Sequence, residues 1–167
     1  MEHGQALRAL ISGQFDSTAA VLRVQFEALA RGYWALYSAT DDDLAKLSAP
    51  LNEEAEKAAS KLPMVTAMIK SLEGKGPVGM HRTFEEFRTV VLSSLNSFVL
   101  AGIHSLRFHA EGYPPVLLDR LVRYSNAMQT MAGMAMANIS GDQAMSLAMS
   151  KVQKPFEACL PHLLRPR

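Results

Sequence analysis

Six polar side chains stand inside otherwise apolar helical runs, and chemistry would concentrate there: Arg23, Glu27, Asn96, Arg107, Arg123 and Asn126. At 100° per residue, Arg23, Glu27 and Trp34 fall within about 40° of one another, beside an apolar stripe rather than opposite it. Val21, Val24, Ala28 and Ala35 cover much of the far side. Arg23 and Glu27 are therefore expected to be at least partly buried, and a buried charge must be paired. Asn96 and Arg107 differ in direction by only about 20°, with Leu100 and Ile103 between them and His104 at the flank. Arg123 and Asn126 lie three apart inside LVRYSNAMQTM. If the three lines converge, three guanidinium groups face one carboxylate, and such a cluster suits a small anionic ligand or phosphate, because guanidinium offers a fork of donors to paired oxygens. The structural alternative is an internal Arg23–Glu27 ion pair that fixes helix register, with the other arginines binding helix C-terminal carbonyls or reaching water over buried stems.

Other site chemistries find little support. A di-iron bundle needs Glu followed three residues later by His on two helices, and a zinc helix needs two His four apart with a Glu between. His3, His81, His104, His109 and His162 supply neither pattern, so no metal and no cofactor is expected. Cys159 has His162 three residues on, but Pro161 intervenes. A small buried hydrophobe is the expected role. Six of the ten methionines run from Met128 to Met149; at helical spacing they are expected in the core, with a deformable binding surface as the alternative. GKGPVG, residues 74–79, lacks the Gly-Lys-Ser/Thr ending and the preceding strand of a phosphate loop.

The elements that must position these residues are helices, because apolar residues recur at three and four between widely spaced turn signals. Phe15, Ala19, Leu22, Phe26, Leu29, Tyr33 and Leu36 form one seam, on a helix starting near Asp16 after a shorter one over residues 3–13. Asp41, Asp42 and Asp43 read as the start of a helical turn, where carboxylates meet the positive end of the helix dipole. Short helices follow over 51–60 and 63–73, then a loop at 74–80 that sets this outer charged layer apart from the C-terminal half. A long helix over 82–110 carries Phe84, Phe87, Val91, Leu95, Phe98, Gly102 and Leu106 on one face. Two more span 115–139 and 143–160. The expectation is an all-α protein: a single bundle of five or six helices with two long central antiparallel helices, those starting near Asp16 and Arg82, and one domain over 1–167.

Composition narrows the function classes. Seventeen Lys and Arg against sixteen Asp and Glu give a net charge of +1, so no global field holds nucleic acid or an anionic membrane. One cysteine excludes an internal disulfide and fits a reducing compartment. Nothing reads as a signal peptide or a membrane span; the expected location is cytoplasmic, with no membrane contact. The aromatic and Met side chains on long helices exceed what one thin bundle buries, which points to a homodimer with two-fold symmetry.

The segments FEALARGYWALY (26–37), LNSFVLAGIHSL (95–106) and VRYSNAMQTMAGMAMANISGD (122–142) resemble a family of small bacterial all-α proteins without an assigned activity, over most of residues 3–160. The resemblance implies a fold and a set of marked positions: Arg23, Phe26, Glu27, Trp34, Asn96, His104, Arg123 and Asn126. Leu100 stands where the family carries a further histidine. More distantly, the chain resembles the helical nucleotide-binding and ribonuclease domains, HEPN-like, of toxin and phage-defence operons, which implies an Arg followed four to six residues later by His on a helix. Here Arg107 and His109 are two apart, about 200° around a helix. The function expected is that of a non-enzymatic binding or interaction protein in a bacterial defence or toxin–antitoxin context, with a protein partner or a small anion, its site drawn from Arg23, Glu27, Trp34, Asn96, Arg123 and Asn126. The alternative is a divergent HEPN-like ribonuclease acting on RNA, in which His104 moves the proton and Arg107 or Arg123 stabilises phosphate charge.

Overall fold

The computed structural model describes residues 13–50, 52–89, 107 and 110–161, and among these every regular element is helical. The described residues form seven helices: α1 (Phe15–Tyr37), α2 (Asp41–Ser48), α3 (Glu53–Ala59), α4 (Val65–Ser71), α5 (Met80–Phe87), α6 (Pro115–Ser140) and α7 (Gln143–Gln153), followed by a 3-10 turn at Glu157–Cys159. The expected helix over 3–13 and most of the one over 82–110 lie outside the described residues. None of the described helices is long and apolar enough to cross a membrane.

The described helices outnumber five or six because residues 41–73 alone hold three short ones, each opened and closed by local signals. Thr40 accepts a hydrogen bond from the Asp43 N–H while the Asp43 carboxylate accepts from the Thr40 N–H, a reciprocal cap that opens α2 as a separate helix. The Thr40 donors also hold the Asp43 carboxyl below its ordinary value of 3.8. Ala49 leaves the helical conformation ahead of Pro50, as a residue before proline prefers. Asn52 then caps α3 by accepting from the Ala55 N–H. The helix expected over 143–160 is also shorter: α7 ends at Gln153. Pro155 lacks an N–H and its ring would clash with the carbonyl four residues back, so the helix cannot pass it.

The chain parts into two compact units, residues 1–26 with 86–167, and residues 27–85. In the first, Leu22, Phe26, Phe87, Leu121, Met128, Met131 and Leu160 are buried. Phe26 stacks on Phe87 with ring centroids 4.3 Å apart, and Tyr124 meets Phe87 edge-on at 5.2 Å. In the second, Ala30, Tyr33, Trp34, Met68, Ile69, Leu72, Met80 and Phe84 are buried, and Tyr33 meets Phe84 edge-on. Along α1 the burial drifts off the expected seam, so that Leu36 is exposed while Ala30 and Trp34 are buried. A straight helix turns about 20° per seven residues away from a strict seven-residue repeat, which is the direction of this drift.

Loop 74–79 lies within the second unit. Gly76 has φ +71°, and a Cβ there would stand 3.1 Å from the Tyr37 ring, so both backbone conformation and space require glycine. Lys75 Nζ donates to Ser38 Oγ at 2.9 Å, and Ser38 donates to the Ser71 carbonyl at 3.1 Å, tying the loop to the end of α1.

Burial, with the nearby Tyr37 adding to it, pushes the Tyr33 phenol up from 10.0 to about 12. A raised folded pKa means the unfolded chain gives up this proton first, so the contribution of Tyr33 is intact below pH 10 and is lost as pH rises toward 12. Alkaline titration followed by phenolate absorbance should show a late-ionising phenol that is absent from Tyr33→Phe, and the same substitution should flatten the loss of stability between those two pH values. A Tyr33 that ionises at its ordinary value of 10.0 would contradict the packing.

Candidate functional site

A concavity lies in the first unit, where α6, α7 and the C-terminal turn meet. α6 begins with Pro115, whose fixed φ suits a first helical turn, and runs to Ser140. Gly141 follows at φ 66°, and Asp142 caps α7 by accepting from the Ala144 N–H at 2.7 Å. Two residues thus reverse the chain. α7 runs back against α6 at Gly133, where an added Cβ would stand 2.7 Å from Met149 Cε. A side chain at 133 would have to displace the flexible end of Met149. After Pro155 the 3-10 turn brings residues 158–160 back to the middle of α6.

There Arg123 and Asn126 clasp three successive carbonyls. Arg123 Nη1 donates to the Ala158 carbonyl and, at 3.4 Å, to that of Leu160. Asn126 Nδ2 donates to the Cys159 carbonyl at 3.1 Å. Arg123 Nε donates to Asp119 at 2.6 Å, one turn back, and this carboxylate holds the guanidinium pKa above its ordinary value. The turn leaves a groove of about 240 Å³ between itself and the helices. Asn126, Gln129 and Thr130 line it from α6, Val152 and Gln153 from α7, and Phe156, Cys159 and Leu160 from the turn. Gln153 also lines a smaller cavity of about 120 Å³ with Met134, Ala137 and Met149, and its Nε2 donates to Met134 Sδ at 3.1 Å.

Of the residues singled out in the sequence, Arg123 and Asn126 come together, in the carbonyl-binding role that the structural alternative gave to arginine. Arg23 is half-buried on α1 in the first unit. Glu27 belongs to the second and pairs with Arg31 at 3.1 Å. Acid before base is the stronger order on a helix, and with side chains 26% and 45% exposed this pair contributes at most about 1 kcal/mol. Trp34 is 3% exposed, inside the core of the second unit. Arg107 is exposed and pairs with Glu111 at 2.9 Å. Asn96 and His104 lie outside the described residues, so their convergence with the rest does too.

Cys159 corrects the expectation of a small buried hydrophobe: it is exposed, because Pro155 ends the helix that would have buried it. The methionines divide, with Met128 and Met131 in the core and Met136 and Met145 exposed. Among the described residues, no group of three or more His, Cys, Asp or Glu is placed to hold a metal ion.

Sequence reasoning missed Gln25, Ser125 and the groove itself. Gln25 Nε2 donates to the Ser125 carbonyl at 3.2 Å and Ser125 Oγ donates to Gln25 Oε1 at 3.1 Å, a reciprocal buried pair joining α1 to α6. A signal was present: Gln25 sits between Leu22 and Leu29, and Ser125 between Leu121 and Met128, each a polar residue at an apolar position of its helical stripe. Gln129 and Phe156 carried no comparable mark, since only the turn after Pro155 brings them to one concavity.

Asn126→Ala should cost about 1 kcal/mol, the net worth of one hydrogen bond whose acceptor regains water. It should also speed amide exchange over 157–160 while leaving α1 unchanged. Unchanged exchange at the turn would show that the clasp does not hold it.

Comparison with curated proteins and with solved structures gives no match. A family model does match, over residues 1–162 of the 167, nearly the whole chain and all of the groove. The chain therefore belongs to DUF6988, a family of unknown function.

Proposed function

We propose that this chain is a non-enzymatic binding protein that takes its ligand in the groove between α6, α7 and the C-terminal turn. The observation that carries this reading is the clasp: Arg123 and Asn126 commit donors to the carbonyls of residues 158–160, so they build a wall instead of presenting a free fork to phosphate. A small anion is accordingly less favoured than a neutral ligand or a protein partner, because the Arg123 charge already has Asp119 beside it. Exposed Val24, Met136, Ile139 and Phe156 support the further proposal of a homodimer. The second long central helix of a single bundle would be the one expected over 82–110. Cytoplasmic placement follows from the single cysteine, and a bacterial defence or toxin–antitoxin context from the resemblance of residues 26–37, 95–106 and 122–142.

The test has two arms. Purified full-length protein incubated with mixed RNA should leave it intact; cleavage abolished by His104→Ala but not by His109→Ala would replace this reading with the HEPN-like ribonuclease, with Arg107 or Arg123 beside the histidine. In the second arm, a thermal-shift panel of neutral heterocycles, small anions and short peptides should yield stabilising ligands whose effect is lost in Gln129→Leu or Val152→Asp. A panel with no ligand sensitive to either change would overturn the groove as the site.

A further inference from the structure

Resting on that reading, we infer that the groove takes a small, uncharged, planar heterocycle with amide-type donors and acceptors on its edge, the chemistry shared by nucleobases and nicotinamide. Size is the first constraint. About 240 Å³ falls below the roughly 300–1,000 Å³ of sites for drug-sized ligands, which selects a ligand of one or two fused rings. Charge is the second. Every side chain lining the groove is of an uncharged type, and the guanidinium bound to its turn is engaged by Asp119 and two carbonyls. An anionic ligand would lose water there without gaining a free counter-charge.

Hydrogen-bonding capacity is the third constraint. The Gln129 side chain makes no hydrogen bond among the described residues, so its amide offers both donors and acceptor. Asn126 uses one N–H on the Cys159 carbonyl and keeps Oδ1 and a second N–H. The Thr130 hydroxyl donates to the Asn126 carbonyl at 2.9 Å, which leaves its oxygen as an acceptor. Side-chain amides of this kind pair with a heterocycle that presents a donor and an acceptor side by side, as asparagine and glutamine do with adenine. The fourth observation is Phe156, 58% exposed while lining the groove. An aromatic ring in water gains by covering its face, and a planar ligand does so without a sequence of specific contacts.

The decisive comparison holds shape constant and changes charge. Nicotinamide and nicotinate, and orotamide and orotate, are titrated into the full-length protein and followed by calorimetry and by amide chemical shifts. The neutral member of at least one pair should bind at least about tenfold more tightly than its carboxylate, with shifts confined to residues 126–130 and 152–160. Gln129→Leu and Phe156→Ser, both at exposed positions and both checked for unchanged helicity, should each weaken it by about tenfold. A carboxylate that binds as well as its neutral partner, or binding that survives both substitutions, overturns the inference. If no heterocycle binds while a panel ligand of another class is lost in Gln129→Leu, the ligand class is wrong and the groove stands as a binding site. If no ligand of any class responds to the groove substitutions, both fall.

Discussion

Phe26→Ala should cost about 3–5 kcal/mol, the largest effect expected from any single substitution in the first unit. Phe26 is 1% exposed, stacks on Phe87 at 4.3 Å and has Leu22 buried one turn away. Truncation removes the transfer free energy of the ring and leaves a cavity that helical backbones do not collapse to fill. Against a stability of roughly 5–15 kcal/mol for an ordinary domain, such a loss brings the chain close to unfolding at physiological temperature. Phe26→Leu keeps most of the volume and should cost less than half as much. Urea midpoints for the two variants measure the difference, and a cost below about 1 kcal/mol for Phe26→Ala would mean that the ring is not a core element.

The Gln25–Ser125 pair should give the second-largest effect. Gln25 is 8% exposed and Ser125 is 2% exposed, and each both donates to and accepts from the other residue. Ser125→Ala removes the donor to a buried amide oxygen and should cost about 1–3 kcal/mol, the desolvation penalty of the group left behind. Gln25→Ala adds a cavity to the same loss and should fall at the upper end of that range or beyond. Gln25→Leu combined with Ser125→Ala removes both polar partners, so the double variant should be less damaging than the sum of its singles. Additivity within about 0.5 kcal/mol would show that the two residues act independently.

The helical class, the stop after Ser140 and the opening of a helix at Asp41 were all legible in the sequence, because each depends on residues within one or two turns: apolar spacing, Gly141 at the left-handed cap, and carboxylates at a helix start. The ends of the shorter helices were not legible from periodicity alone. Pro155 and Pro50 decide them, and an apolar pattern continues past both. The site was legible only at Arg123 and Asn126, two polar residues inside an apolar run. Their partners are backbone carbonyls thirty-three to thirty-seven residues away, and a carbonyl carries no residue type to read.

The two-residue reversal at Gly141 and Asp142 has a kinetic consequence. The groove is assembled from contacts nineteen to thirty-seven residues apart, whereas the Gln25–Ser125 lock closes a loop of one hundred. Tripling a loop from about thirty-three to one hundred residues adds roughly 1 kcal/mol of closure entropy, so the α6–α7 hairpin and its turn can fold before α1 is docked. Substitutions at Gly141 should then slow refolding, whereas changes at Gln25 should mainly speed unfolding. The concavity would thus be among the first parts of the first unit to exist and among the last to be lost when that unit opens.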